Sequence, residues 1–183
     1  MIRIPNIRAL MATLALTGVL GLETAQAADD NLYDWQPCPS SLAVEGGAQP
    51  TQKWDLTLSP YTHHWRASHE HRPVKLVSLD SHVAGGRFCG LALFTNSFGQ
   101  ESAYAYVGQQ WDGIFGVPQL FSKVSVGLIY GYRDEYQHKI ALNKLGVAPA
   151  IIPSLGYSFT PKDSAQIFLL GTAGVLFAYA RSF

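Results

Sequence analysis

The stretch from Arg87 to Trp111 reads RFCGLALFTNSFGQESAYAYVGQQW. Two runs rich in aromatic and aliphatic residues, Phe88–Phe94 and Ala103–Val107, flank a short polar segment that contains Asn96 and Ser97. Runs of this length, bounded by Asn, Ser and Gly, favour a β-hairpin with a loop over a pair of helices. If the hairpin belongs to a barrel in a membrane, the polar segment lies at one rim, where lipid headgroups are found.

Residues 1–27 have the features of a secretory signal peptide. Arg3 and Arg8 supply the positive charge, and Ala9–Leu22 is a run of 14 residues without charge. Ala25–Ala27 then offers the small-x-small pattern that signal peptidase cleaves. The alternative is a membrane anchor, but the uncharged run is shorter than the ~20 residues that a spanning helix needs.

The composition favours a membrane barrel once export is assumed. Hydrophobic residues make up 48% of the chain, aromatic residues 12% and charged residues only 14%, with a net charge of zero. Transmembrane β-strands alternate apolar and polar residues, so they never appear as long apolar runs. A soluble periplasmic β-sandwich or lipocalin-like barrel is the alternative. The balanced charge argues against nucleic acid as a partner.

The rest of the chain divides into two parts. Residues 28–52 contain Pro, Gly and Asp in patterns typical of loops, with at most one helical turn, and we expect them on the periplasmic side. Residues 53–183 then hold eight candidate strands. We therefore predict an all-β fold, an eight-stranded antiparallel transmembrane β-barrel with an N-terminal periplasmic segment. The candidate strands are Trp54–His63, Lys75–Val83, Phe88–Phe94, Ser102–Trp111, Phe121–Tyr132, Ala150–Phe159, Ala165–Gly171 and Val175–Phe183.

The last strand predicts the location. Its alternate residues Phe177, Tyr179, Arg181 and Phe183 share one face, and this pattern looks like the assembly signature of bacterial outer-membrane barrels. Eight strands enclose room for side chains or one slender ligand, which argues against a porin. With both termini periplasmic, the longer links at 64–74 and 133–149 would lie outside the cell.

Those two links carry many basic residues. Cations at the outer rim could bind the phosphates of lipopolysaccharide through charge-assisted hydrogen bonds. A solvated, charge-rich loop is the alternative for any one of them. The residues concerned are Arg66, His69, His71, Arg72 and Lys75 in the first link, and Arg133, His138, Lys139 and Lys144 in the second.

Three prolines fall in or beside the candidate strands: Pro60, Pro149 and Pro153. Proline cannot donate a hydrogen bond to a ladder, so we expect the pairing to be broken locally at these positions. The breaks would either form side gates through which a lipid tail enters or mark bulges and strand ends.

Two further residue types leave questions open. Cys38 and Cys89 could pair in an oxidising periplasm, which the sequence does not decide. The spacing of the histidines matches no recognised zinc pattern, so we predict no metal site among them. These histidines are His63, His64, His69 and His71.

The chain resembles the lipid A palmitoyltransferases of the outer membrane, the PagP family. The resemblance runs loosely from Trp54 to Phe183 and depends on the order and spacing of several segments rather than on one motif. These segments are Trp54-Asp55-Leu56 with Thr62-His63-His64, Phe94-Thr95-Asn96-Ser97, Val107-Gly108 with Trp111, Pro149–Tyr157 and Val175–Phe183.

The resemblance implies an enzyme that moves a palmitoyl chain from a phospholipid to lipid A, as a monomer without cofactor or metal. Activity in that family depends on a histidine at the outer end of strand one and on an Asp-Ser pair in an outer loop. His64 and Ser97 match the histidine and the serine. Asn96 stands at the position of the aspartate, and an amide cannot act as a carboxylate base. Alignment on Pro60 rather than Asp55 shifts the histidine by one residue, so His63 is the alternative to His64.

The same residues suit acyl transfer on chemical grounds. A neutral imidazole can take the proton of a hydroxyl group, and the Asn96 amide and the Ser97 hydroxyl can both donate to a developing oxyanion. Ser97 could instead be a nucleophile, but no Gly-x-Ser-x-Gly elbow is present. Loop hydrogen bonds could also account for Asn96 and Ser97. The alternatives are a lipid-binding or structural barrel without catalysis and, from a third class, a lipid A deacylase.

Overall fold

The computed structural model describes residues 36–66 and 68–183. The predicted signal peptide, residues 1–27, and the first part of the predicted periplasmic segment, residues 28–35, lie outside the described residues. Within the described ranges no helix is long and apolar enough to cross a membrane.

Eight antiparallel strands form a closed barrel in which each strand pairs with its neighbours in sequence and β8 pairs with β1. The predicted fold class is confirmed, and the quoted stretch forms the β3–β4 hairpin. The strands are β1 (Trp54–His64), β2 (Leu76–Val83), β3 (Arg87–Thr95), β4 (Glu101–Asp112), β5 (Leu120–Tyr130), β6 (Val147–Ser158), β7 (Asp163–Leu169) and β8 (Gly174–Ser182). Three short 3₁₀ turns, Ser40–Leu42, Ile114–Gly116 and Asp134–Lys139, complete the structure.

The two ends of the barrel differ. One end, called the loop end here, carries L1 (residues 65–75), L2 (96–100), L3 (131–146) and L4 (170–173). The other, called the tail end, carries the tight turns of residues 84–86, 113–119 and 159–162 together with segment 36–53. This division follows the predicted alternation of short and long links.

The outer wall of the barrel exposes many apolar side chains, and the interior buries many polar ones. Outward-facing Leu58, Leu128 and Ile151 are 46%, 58% and 68% exposed, whereas inward-facing Thr57 and Gln166 are 1% and 2% exposed. In water this arrangement would leave a large apolar surface uncovered, but it suits a barrel whose outer wall faces hydrocarbon. The fold is therefore that of a transmembrane β-barrel.

A charged network fills the interior near the tail end. Lys123 Nζ lies 2.8 Å from Asp55 Oδ2 and 3.4 Å from Asp80 Oδ2, while His82 Nε2 lies 2.9 Å from Asp55 Oδ2. Ser182 Oγ donates to Asp55 Oδ1 at 2.6 Å. Because these residues belong to β1, β2, β5 and β8, the network joins strands from opposite sides of the barrel.

The interior nearer the loop end is mainly apolar. A cavity of about 60 Å³ extends through this region, and its floor is formed by the polar side chains of Asp80, Tyr106 and Lys123. The apolar residues that pack here are Val74, Leu76, Ala92, Phe94, Tyr104, Ile129, Ala150, Ile152, Phe168, Leu170, Leu176 and Ala178.

Two ladders are incomplete toward the loop end, as the prolines predict. The β1–β2 pairing ends at Ser59↔Leu76, one residue before Pro60. The β6–β7 pairing reaches only Ser154↔Phe168, one residue after Pro153. The β1–β8 and β5–β6 ladders continue to the loop end. The gaps therefore affect only one side of β1 and one side of β6.

The structure corrects the predicted start of β6. We expected the strand to begin at Ala150, but β6 begins at Val147. The amide and carbonyl of Val147 bond to Lys144, on the side away from β5. Alternation gives Pro149 and Pro153 the same orientation, so their missing donors point toward the gap and not into the β5 ladder. β5 also ends earlier than expected, at Tyr130, and β7 covers Asp163–Leu169 instead of Ala165–Gly171.

Segment 36–53 is attached to the barrel by the Cys38–Cys89 disulfide, which settles the pairing that the sequence leaves open. Gly85 N also donates to Ala48 O at 2.9 Å, and Arg87 Nη1 donates to Leu42 O at 3.2 Å. The segment has a single 3₁₀ turn, as expected for a mainly irregular stretch.

We expect Lys123→Ala to lower the free energy of unfolding by about 3–5 kcal/mol, because it leaves Asp55 and Asp80 buried without their cation. Urea unfolding in lipid vesicles would measure the change. Lys162→Ala, which alters an exposed lysine in a tail-end turn, is the matched control and should change the value by less than about 0.5 kcal/mol. Equal effects in the two variants would contradict a stabilising role for the network.

Candidate functional site at the loop end

A β-bulge decides which histidine of β1 faces the interior. The β1–β8 register shifts between Leu58 and Tyr61, around Pro60. Leu58 faces outward before the shift, and Tyr61 and His63 face outward after it, whereas Thr62 and His64 face inward. Strict alternation from the outward-facing Leu56 and Leu58 would place His63 on the inner face, and the extra residue of the bulge places His64 there instead.

His64 and Ser97 lie in hydrogen-bond contact. The distance from His64 Nε2 to Ser97 Oγ is 2.7 Å, and the two residues come from the end of β1 and from L2. The backbone holds Ser97 in place, because Arg72 N of L1 donates to Ser97 O at 2.8 Å. The structure thus brings together two of the three residues that the sequence indicates.

The Asn96 side chain holds the backbone of L2 through hydrogen bonds. It is 1% exposed, and its Oδ1 accepts hydrogen bonds from Phe98 N and Gln100 N, both at 3.0 Å. Its Nδ2 lies 3.4 Å from Gly131 O and 3.4 Å from Gln100 Oε1. The amide is therefore engaged with the loop backbone and with L3, and these contacts fix the conformation in which Ser97 meets His64.

A second histidine packs on the first. The rings of His64 and His71 stack with centroids 4.2 Å apart and an interplanar angle of 28°. Two imidazoles this close repel each other when both are protonated, so the pair favours a neutral ring. A neutral ring is the form that can accept a proton. His63 lies outside and contacts the edge of Trp65, with ring centroids 5.9 Å apart.

Phe98 connects the site to L3. Its ring stacks on Tyr136 with centroids 4.4 Å apart, and it meets the edge of His71 at 5.9 Å. Lys139 Nζ lies 5.3 Å from the centre of the Phe98 ring and 3.2 Å from Glu70 Oε2. These contacts hold L1, L2 and L3 together beside His64 and Ser97.

Basic side chains surround this region, as the sequence analysis expected. They belong to L1 and L3 and are exposed, so they are accessible to an anionic partner. The residues are Arg66, Arg72, Lys75, Arg133, His138, Lys139 and Lys144.

One group of side chains has the composition of a metal site. Single ligand atoms of Asp55, Asp80 and His82 lie within 4.8 Å of one another. Lys123 Nζ already lies 2.8 Å from Asp55 and 3.4 Å from Asp80, so an ammonium group supplies the positive charge there. The group belongs to the interior network near the tail end, away from His64 and Ser97.

Several contacts that hold the site join residues far apart in sequence, and no local pattern predicts them. Gln100 and Gly131 bind the Asn96 amide, and Arg72 binds Ser97 through its backbone. The sequence indicated His71 only as a basic residue of the first long link and as one of four histidines without a zinc pattern. His71 lies three residues before Val74, where the chain turns back toward β2. Nothing in the local sequence predicts that its ring stacks on His64.

Comparisons with known proteins agree with the fold and go no further. No protein-family model matches the chain, and no curated protein matches it. A solved structure described as "De novo design of transmembrane beta-barrels" is similar, with a TM-score of 0.55 and 12% sequence identity. The match covers 74% of this chain and 98% of that one. Likeness at this identity shows the barrel architecture alone.

We expect Asn96→Ala to lower the free energy of unfolding by about 1–3 kcal/mol, because the partly buried amides of Phe98 and Gln100 lose their acceptor. Hydrogen exchange at those two amides should accelerate. Asn143→Ala is the control, since Asn143 donates to Tyr132 O at 2.7 Å within L3. It should loosen L3 and accelerate exchange at the Phe98 and Gln100 amides much less than Asn96→Ala does. Protection of these amides that survives Asn96→Ala would show that other contacts define the loop.

Proposed function

We propose that this chain is an acyltransferase of the bacterial outer membrane that moves a palmitoyl-type chain from a phospholipid to lipid A. The observation that carries the proposal is the 2.7 Å contact between His64 Nε2 and Ser97 Oγ at the loop end of a membrane barrel. The resemblance of the sequence to the lipid A palmitoyltransferases supports it, because His64 and Ser97 are the two residues that match that family's histidine and serine.

In the proposed reaction His64 acts as the base. It takes the proton of a lipid A hydroxyl, whose oxygen attacks the ester carbonyl of the phospholipid. The tetrahedral intermediate collapses with cleavage of the bond to the glycerol oxygen, and protonated His64 returns the proton to that leaving oxygen. The acyl chain is then esterified to lipid A, and a lysophospholipid departs.

Ser97 is best suited to stabilise the oxyanion. If His64 Nε2–H donates to Ser97 Oγ, the Ser97 hydroxyl can donate to the carbonyl oxygen while His64 Nδ1 accepts the proton. Asn96 is then a positioning residue, because its amide holds L2 in the conformation that presents Ser97. Asparagine at the position of the family's aspartate removes no base from this mechanism, because His64 is the base.

Lipid substrates need a route from the bilayer to the interior, and the incomplete ladders offer two. Toward the loop end, β1 and β2 separate after Ser59, and β6 and β7 separate before Ser154. Each break leaves strand edges without ladder hydrogen bonds beside the apolar part of the interior. An acyl chain entering there would meet apolar side chains, with Asp80, Tyr106 and Lys123 as a polar floor.

The exposed cations of L1 and L3 suit the second substrate. Lipid A carries phosphate groups, and arginine and lysine bind phosphates through charge-assisted hydrogen bonds. Transfer by this route needs no soluble cofactor and no metal, and a single copy of the chain contains every group that the mechanism uses.

A barrel that binds lipid without catalysis is the second candidate. The ring stacked on His64 is another imidazole, His71, and not a carboxylate that would stabilise an imidazolium. A barrel that has lost the acidic residue would retain the lateral gaps and the apolar interior and bind lipid only. A deacylase would use the same histidine and serine with water as the acceptor.

Mass spectrometry of lipid A separates the three possibilities when the chain is expressed in a strain that lacks acyl-chain remodelling. We expect lipid A with one added palmitoyl group. Loss of an acyl chain would indicate the deacylase, and unchanged lipid A would indicate the non-catalytic barrel.

His64→Ala should lower transfer by about 10²–10⁴-fold, the range typical of a lost general base. His63→Ala is the matched control, since the neighbouring imidazole lies on the outer wall, and it should keep near-normal activity. Heat-modifiable migration of the folded barrel on gels would verify that both variants fold. Equal activities of the two variants would remove His64 from the mechanism.

Ser97→Ala should lower transfer by about 10²-fold without abolishing it, if the hydroxyl donates to the oxyanion. Ser68→Ala, an exposed serine of L1, is the control. Complete loss of transfer together with an acyl-enzyme trapped in the wild type would instead establish Ser97 as a nucleophile.

A further inference from the structure

The last part of L3 forms a tight turn at the edge of the β6–β7 gap. Lys144 N donates to Val147 O at 2.8 Å, and Val147 N donates to Lys144 O at 3.0 Å. On its other side β6 pairs with β5, with Tyr130 opposite Val147. The Lys144–Val147 turn therefore occupies the loop end of the β6 edge that β7 leaves unpaired.

Two leucines in this part of L3 adopt a backbone conformation that leucine rarely takes. Leu145 has φ 54° and is followed by Gly146 at φ 85°, and Leu142 has φ 59°. Two successive residues with positive φ form the kind of turn in which Asn, Asp or Gly is strongly preferred. A branched, bulky side chain at positive φ destabilises the fold, and such strain is found where function maintains it.

Packing does not compensate for this strain. The side chains of Leu142 and Leu145 are 78% and 92% exposed, so neither is buried in the barrel or under another loop. Asparagine in place of Leu142 and Leu145 would make this part of L3 more stable and more soluble, because asparagine tolerates positive φ. Within residues 36–66 and 68–183, therefore, no group receives these side chains.

The surroundings of the two leucines identify their partner as the bilayer. Val147 and Ile151 of β6 and Leu128 of β5 continue the exposed apolar surface directly below the turn, on the wall that faces lipid. Lys144 and Arg133 are exposed beside the turn, and the Arg133 side chain adjoins Gly146. Apolar side chains with flanking cations are the usual composition of a segment at the headgroup boundary.

We propose that Leu142 and Leu145 insert into the acyl-chain edge of the outer leaflet at the rim of the β6–β7 gap, with Lys144 and Arg133 at the headgroup phosphates. L3 is then a membrane-contacting lip and not a loop surrounded by water. It exposes apolar side chains where a lipid tail would pass from the bilayer toward the gap. The insertion itself is independent of whether acyl transfer follows.

Spin labelling of the full barrel in vesicles of phosphatidylethanolamine and phosphatidylglycerol tests the proposal. A nitroxide is attached at Leu145→Cys with the native disulfide intact, and Thr172→Cys in L4 provides a label on an exposed loop. At position 145 we expect collisions with oxygen to increase and collisions with a water-soluble nickel chelate to fall at least fivefold relative to position 172. Equal accessibility of the two labels to the nickel chelate would overturn the proposal.

A second measurement removes the leucines without weakening the turn. A fluorophore at Ala141→Cys reports the depth of L3 through quenching by brominated lipids. In a Leu142→Asn/Leu145→Asn background the quenching should fall at least threefold, while the midpoint of thermal unfolding in detergent stays the same or rises, because asparagine tolerates positive φ. Unchanged quenching in this variant would show that the leucines do not hold L3 in the bilayer. Neither measurement uses acyl transfer, so their failure is distinct from failure of the proposed function.

Discussion

The β1–β8 ladder is the constraint on which the rest of the structure depends. It closes the barrel. Its register shift between Leu58 and Tyr61 adds one residue to β1, so the side chains beyond the shift exchange inner and outer faces. Ser59 Oγ donates to Phe177 O at 2.6 Å beside the shift, so the irregular part of the ladder still has a hydrogen bond. Without the extra residue the inner face would carry His63, and His64 would point toward the outside. The one-residue bulge in β1 thus determines which histidine contacts Ser97.

The interior has two parts, a charged network near the tail end and an apolar region nearer the loop end. Near the tail end, Asp55, Asp80, His82 and Lys123 form ion pairs that link strands across the barrel. Buried ion pairs contribute little net free energy, but removal of one partner is costly, so the network specifies which strands face each other. Nearer the loop end the interior is apolar and contains a cavity. The ion-pair network therefore lies far from His64 and Ser97, and the apolar part of the interior lies nearer to them.

The loop end combines ordered contacts between loops with two incomplete strand ladders. L2 is held by the Asn96 amide, and Phe98 packs on Tyr136 of L3. The neighbouring edges of β1 and β6 lack part of their ladders because proline cannot donate and its neighbours have no partner strand. Exposed backbone at the depth of a bilayer is tolerated only where protein or a cavity covers it. The Lys144–Val147 turn provides such cover at one end of the β6 edge, and Leu145 within it, together with Leu142 before it, faces the lipid that adjoins it.

The sequence alone determined the class of fold, because alternation and turn residues are local properties that each strand carries independently. It indicated eight strands, the β3–β4 hairpin, the division into short and long links, and the breaks near Pro60 and Pro153. It also named His64 and Ser97, through a resemblance in the order of segments. Only the tertiary structure decided between His63 and His64, since one bulge reverses every side chain beyond it. The same holds for the Asn96 contacts, the His71 stack, the Cys38–Cys89 bond and the lysine between two aspartates. Each of these joins residues from different strands or loops, and their proximity follows from barrel closure and register, which no local pattern encodes.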